Sequence, residues 1–325
     1  MDRRPKRSPA SLTYRIVRLA VAMLIAALSV TVGAGGDDAF RVALVGSTED
    51  QRTVTVMNAV EAALANACGT HCAVVTRVDA TLATSDLERA VAAVDLVVTI
   101  GSHAGQVMAQ AARKTPTLYA FLPRVAWDEL QTCCLPPTRP FSALLIDQPL
   151  QRQIALTRLV VPQATRLGVL LGEVSSERRD ELEDAARARG YRLTVEQASA
   201  DDIGAGLRRL VQDVDVLLAL PDPAIYNRST AYSILLTTYS ARVPVIGFSE
   251  AMVKAGAAAA VHATPNDVGR EVAQRIDTFR RTGQLQPAGY GDLFSVSVNR
   301  EVLRSLQLPD FSDDDLLRSM ERMAP

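Results

Sequence analysis

Glycine signatures of nucleotide sites are missing from this chain. No G-x-G-x-x-G follows the first strand-like segment, FRVALVGS (40–47), and no G-x-x-x-x-G-K-[ST] occurs, so neither of these two phosphate cradles is built. Histidine is scarce, with His71, His103 and His262 the only three. The hydrolase elbow G-x-S-x-G is absent too, because Gly101-Ser102-His103-Ala104-Gly105 puts His103 at its centre. No motif therefore points to a Ser/His/Asp set, no catalytic residue is expected, and the chain reads as a non-enzyme. Aromatic residues make up only 5% against many Ala, Val and Leu, as layered α/β packing requires. A basic surplus is lacking, which leaves no electrostatic footprint for nucleic acid. Cysteine is limited to Cys68, Cys72, Cys133 and Cys134. In an exported protein Cys68–Cys72 is the easier closure, and a Cys133–Cys134 bond is the rarer one. Cys68, His71 and Cys72 have no second half to complete a metal set, so no metal and no cofactor are expected.

At 325 residues the length allows about two domains, and 48% hydrophobic residues supply a full core. Residues 1–34 stand apart from that core. Arg3, Arg4, Lys6, Arg7, Arg15 and Arg18 precede the apolar run Leu19–Val32 and then small residues, the order of a secretory signal peptide cleaved near Ala34. A retained anchor is the rival, but the run is shorter than the roughly 20 residues that span a bilayer. Losing six basic residues and Asp2 moves the net charge from −1 to about −6, a mildly acidic mature chain.

From Ala39 onward strand and helix patterns alternate, which implies βαβ units and parallel sheets. One lobe runs from Ala39 to Asp147, with a turn-rich stretch to Pro140 before its last strand. The alternation restarts at Gln148, so the expectation is an α/β protein of two doubly wound lobes. Asn266–Thr282 reads as a helix capped by Thr264-Pro265-Asn266 and ended by Gly283. LFSVSVN (293–299) reads as a strand, 300–306 as a short helix, and the last dozen residues as a polar tail.

VDVLLALPDPAIYN (214–227) is a buried strand that must end where Pro221 and Pro223 remove ladder donors, placing Asp222 at the carboxyl edge of the sheet. That edge is where open α/β sheets bind ligands. LVVTIGSHAG (96–105), RLGVLLGEVSS (166–176) and RVPVIGFSE (242–250) repeat the device. Ser47-Thr48 and Ser102-His103 would each stand at a helix N-terminus suited to an anionic group, and Asp222 would suit an ammonium. Each has a plainer alternative: Ser47 and Ser102 as helix caps, Asp222 as a turn residue, Tyr226 and Tyr232 as surface aromatics, Phe121, Trp127 and Phe248 as core. Glu173 and Glu250 are weaker candidates.

DLVVTIGSHAGQVMAQAARKTPTLYAFLP (95–123), VPQATRLGVLLG (161–172), DVLLALPDPAIYN (215–227) and FSVSVNREVLRSLQLP (294–309) resemble the ABC-transporter substrate-binding family that includes tryptophan- and tyrosine-binding lipoproteins. The resemblance implies a type I periplasmic binding protein, two lobes joined by three crossings, with residues 39–147 plus 264–284 in one lobe and 148–263 plus 285–325 in the other. It places ligand contacts on Gly46, Ser47, Ser102, His103, Asp222, Asn227, Phe248 and Ser249, to which the loop chemistry adds Tyr226. The family's lipid-attachment cysteine is absent, and Gln131-Thr-Cys-Cys-Leu-Pro-Pro137 stands near the place of its Asn-x-Thr-Gly sequence. The implied function is capture of a small polar molecule, an amino acid among the candidates, by a monomeric periplasmic protein serving an inner-membrane ABC permease. A ligand-sensing subunit of a membrane receptor is the alternative.

Overall fold

The computed structural model describes residues 39–68, 73–111, 114–135, 139–199 and 202–323. The expected leader at 1–34 and the Cys68–Cys72 closure lie outside these residues. Apolar five- and six-residue runs form the middle of each sheet, because a parallel strand covered on both faces buries consecutive side chains. In β1 (Arg41–Gly46), Val42 and Leu44 enter one core while Ala43 and Val45 enter the core on the opposite face. In β6 (Arg166–Leu171), Leu167, Val169 and Leu171 face one core and Leu170 the other. This period of two is what makes each sheet the middle layer of three.

The first sheet also holds β2 (Val74–Asp79), β3 (Leu96–Ile100), β4 (Thr117–Leu122), β5 (Phe141–Leu145) and the short β11 (Gly289–Tyr290), in the order β11-β5-β4-β3-β1-β2, all parallel. Between its strands run α1 (Gln51–Cys68), α2 (Thr84–Val91), α3 (Ser102–Ala111) and α4 (Arg124–Cys133). The second sheet adds to β6 the strands β7 (Arg192–Gln197), β8 (Val216–Leu218), β9 (Val245–Gly247), β10 (Ala259–His262) and β12 (Ser295–Val298), in the order β12-β10-β9-β8-β6-β7. Only β12 there runs antiparallel, against β10. Its helices are α5 (Leu150–Val160), α6 (Glu173–Ser176), α7 (Arg179–Ala188), α8 (Ile203–Asp213), α9 (Ala231–Ser240) and α10 (Glu250–Ala255). Each sheet with its helices is one lobe.

The chain crosses between lobes three times: after β5, after β10, and between β11 and β12. After the second crossing, α11 (Pro265–Thr282) returns to the first lobe. Thr264 and Asp267 cap it reciprocally: the Asp267 amide donates to Thr264 Oγ1 at 3.1 Å, and the Thr264 amide donates to Asp267 Oδ2 at 3.0 Å. Gly283 ends it in the left-handed region at φ 68°. Val268, Val272, Ile276 and Phe279 of α11 complete the core under β1, β3 and β4. Gly269 is needed there, since a Cβ would lie 2.4 Å from that of Ala59 on α1.

Four expectations change. Gly289–Tyr290 pairs with β5, so the chain stays with the first sheet beyond residue 285, and the third crossing follows Tyr290. The turn-rich stretch before Pro140 contains α4, whose Trp127 and Leu130, three apart, are buried. Beyond α12 (Arg300–Ser305), where a short helix was expected, the polar tail is α13 (Asp313–Met323), with Leu316 and Met320 set into the second lobe's core. Cys133 and Cys134, at the end of α4, form a disulfide between adjacent residues, the pairing the sequence ranked last.

Candidate functional site

The carboxyl edges of the two sheets face each other. Arg124, which follows β4 at the edge of the first sheet, lies 3.3 Å from Glu181, which follows β6 and α6 at the edge of the second. Most residues singled out from the sequence lie in a loop or first helical turn at one of these edges, while Gly46 ends β1 and Phe121 lies within β4, and the structure sorts the ligand-contact candidates into two groups.

Ser102 and His103 open α3 directly after Gly101, whose φ of 91° turns the chain sharply out of β3. Ser102 is half-buried and His103 exposed. Among the described residues neither side chain has a hydrogen-bond partner. In the second lobe, Tyr226 and Phe248 meet edge to face with ring centroids 5.8 Å apart. The Tyr226 hydroxyl is buried and has no partner among the described residues. Burial, reinforced by the nearby Asp222 charge, drives its pKa well above the usual phenol value. The side chains of Ser102 and His103 are open to a ligand, whereas the Tyr226 hydroxyl is unpartnered but enclosed, so a ligand could satisfy it only by parting the aromatic pair.

The remaining candidates are engaged within their own lobe. Asp222 is 2% exposed. Its Oδ2 accepts from the Ser175 amide at 2.9 Å and the Ser175 hydroxyl at 2.7 Å, and its Oδ1 accepts from the Ala224 amide at 2.9 Å. The carboxylate thus fastens the β8 loop to α6, and the turn-residue reading describes it better than an ammonium site. Gly172 permits this, because a Cβ there would lie 2.6 Å from Asp222 Oδ2. Asn227 behaves likewise: Oδ1 accepts from Ser229 and Thr230 amides, and Nδ2 donates to the Pro223 carbonyl at 3.1 Å. Ser249 caps α10 by accepting from the Met252 amide at 3.3 Å.

The first-lobe loop at 46–50 also differs from expectation. A Cβ on Gly46 would come 2.6 Å from Thr53, so this glycine serves packing. Ser47 Oγ accepts weakly from the Glu49 and Asp50 amides, and Thr48 donates to Asp79. The cap of α1 is Asp50, whose Oδ2 takes the Thr53 amide at 3.0 Å and hydroxyl at 2.7 Å. Those hydrogen bonds lower its pKa against the opposing effect of burial. A fixed carboxylate therefore already occupies the place where an anionic ligand was expected. Glu173 begins α6, and Glu250 pairs with Lys254 at 2.6 Å.

Sequence reasoning missed a group of charges at the first crossing: Arg124, Asp147, Arg178, Glu181 and the Tyr290 hydroxyl. Reading the stretch before Pro140 as turn-rich hides Arg124, although Pro123 before α4 is a helix-start signal. Among the described residues no three His, Cys, Asp or Glu side chains gather to hold a metal ion.

Two α/β lobes joined by three crossings, with their carboxyl edges opposed and unpartnered polar groups on both sides, define a two-lobed binding protein of the type I periplasmic-binding fold. The family model for ABC transporter substrate binding protein matches residues 77–279, and the chain belongs to that family. Its members are solute-binding proteins and not enzymes; the family implies a small-molecule ligand and a membrane ABC transporter as partner. No curated sequence matches the chain. Among solved structures it is similar to an ABC domain from Streptococcus pneumonia in complex with L-Trp, at 17% identity over 86% of this chain and 98% of that one, TM-score 0.56. It is similar to a ligand-free, open substrate binding protein with adhesive properties from Clostridium difficile, at 17% identity over 85% and 97%, TM-score 0.69. A periplasmic ribose ABC transporter structure from Conexibacter woesei shares the fold at 10% identity over 83% and 95%, TM-score 0.53.

Proposed function

We propose that the protein is a periplasmic binding component that captures a small, amino-acid-like molecule between its lobes and delivers it to an inner-membrane ABC importer. The observation that carries the reading is the set of unpartnered groups on opposed edges: Ser102 and His103, accessible at the start of α3, and the buried Tyr226 hydroxyl beside Phe248. The helix start suits a carboxylate, and the Tyr226–Phe248 pair offers an apolar wall with one donor. One structural relative holds L-Trp and another is a ribose protein. The aromatic pair favours the amino acid. Gly46, Ser47, Asp222, Asn227 and Ser249 shape the loops around the ligand. Export through the leader at 1–34, with cleavage near Ala34, places the protein where the importer takes up its cargo.

A thermal-shift screen of residues 35–325 against amino acids, sugars, nucleosides and small carboxylates tests this. Ligand at a hundredfold excess over its dissociation constant stabilises by about 2.7 kcal/mol. The expected result is a shift with amino acids that shrinks in Tyr226→Phe while the ligand-free melting temperature holds or rises. Shifts confined to sugars, or none at all, would overturn the reading.

A further inference from the structure

Among the described residues, Arg124–Glu181 is the one ion pair that joins the two lobes. Its surroundings are built to hold it. Arg124 Nη1 also donates to the Tyr290 hydroxyl at 3.0 Å, and the Arg124 amide donates to Asp147 Oδ2 at 2.6 Å, both within the first lobe. On the other side, Arg178 grips both oxygens of Glu181 at 3.2 Å with its Nε and Nη2. Arg178 is nearly buried, with its side chain 12% exposed, so Glu181 is held facing the first lobe. The four charges alternate in sign, Arg124 and Asp147 from one lobe, Glu181 and Arg178 from the other. Burial pushes the Asp147 carboxyl up, against the Arg124 amide and the Arg178 charge, so this carboxylate leans on the second lobe's cation for compensation. The segments of the crossings are tied separately: Arg152 donates to the Gly291 carbonyl at 3.0 Å, and Ser295 to Asp267 at 2.8 Å. Those ties brace the hinge itself, whereas Arg124–Glu181 links helices on either side of it.

We infer that Arg124 and Glu181 form an interlobe latch that fixes the resting arrangement of the lobes, and so sets ligand affinity without touching the ligand. A lobe rotation about the crossings separates α4 from α7 and breaks the pair, so any ligand that favours the rotated state binds against it. This rests on the two-lobe binding reading for its consequence, but its test needs no ligand.

The test is a double-mutant cycle with Arg124→Gln, Glu181→Gln and both together in the full chain. Arg124→Gln keeps the backbone donor to Asp147. Spin labels on non-natural ketone side chains at exposed Ser85 and Arg208 report the lobe separation by pulsed electron resonance. A half-exposed pair should hold the resting population by a factor of about two to five. Each single variant is expected to shift the distance distribution by that factor, the double variant to add nothing further, and high salt to mimic them in the wild type only. Unchanged distributions in the single variants, or effects that add in the double, would overturn the latch. Those outcomes leave the ligand screen untouched, and a silent screen leaves the latch untouched.

Discussion

Replacing Asp222 separates a structural role from a ligand contact. Asp222→Ala removes an acceptor from the Ser175 amide, the Ser175 hydroxyl and the Ala224 amide, all beneath a residue that is 2% exposed. The hydroxyl can rotate toward another partner, but the two amides cannot. A buried donor left unsatisfied costs about 1–3 kcal/mol; the Ser175 amide is buried and the Ala224 amide only part-buried, so the pair costs roughly 2–5 kcal/mol, short of twice the full penalty. Against a total stability of about 5–15 kcal/mol this is a large fraction. The melting temperature should fall by roughly 5–15 °C on the scaling for a chain of this size. Asp222→Asn recovers only part of the loss. Its single oxygen can serve Ser175 or Ala224, and the amide nitrogen then faces the other amide, donor against donor. Circular dichroism melts and urea titrations of the three proteins measure the order. A melting temperature in Asp222→Ala equal to the wild type, together with lost ligand binding, would refute the assignment and return Asp222 to the ligand.

Gly269→Ala pits helix propensity against packing: alanine gains about 1 kcal/mol as a helix former, but its Cβ would sit 2.4 Å from Ala59 Cβ and 2.8 Å from the Val56 carbonyl. Overpacking of about 1–3 kcal/mol should win, seen as a lower urea midpoint; a higher midpoint would contradict the α1–α11 contact. Asp215 gives a pH test. Burial alone would raise its carboxyl, but the Arg166 fork and the Thr165 and Arg166 amides outweigh that and hold it at about 2. A pKa lower in the folded than in the unfolded chain gives stability that is present above about pH 4 and lost as pH falls toward 2. With Asp215 a quarter exposed, about 1–2 kcal/mol is expected. Asp215→Asn should flatten that part of the stability curve, and an unchanged acid limb would refute the link.

Strand and helix alternation was legible because β1, β3 and β6 are unbroken apolar runs bounded by polar loops. The capping of α11 was legible because Thr264, Asp267 and Gly283 act on neighbours only three or four residues away. Short or disguised elements were harder. α10 has six residues, too few to show a period. In α13 the Leu316 and Met320 spacing of four was masked by Asp313, Asp314 and Asp315, which favour its N-terminus. For the site, proline placement put Asp222 at the sheet edge, but the direction of its carboxylate depends on Ser175, 47 residues earlier. Local pattern carries no information about such a partner. Asp50 as the true cap of α1 was readable in principle, since Asp50 and Thr53 have capping spacing.

The interleaving of the chain has a consequence for its synthesis. The face of the first lobe formed by Val56, Met57 and Val60 is covered by Val268, Val272 and Ile276 of α11. The second lobe waits likewise for Val296, Leu303, Leu316 and Met320. A ribosome that has made every strand from β1 to β10 has still not delivered the lid of either core. Neither half can close early, and both become complete within the last few dozen residues. A nascent chain so arranged has no complete core until α11 and then β12 to α13 have been made.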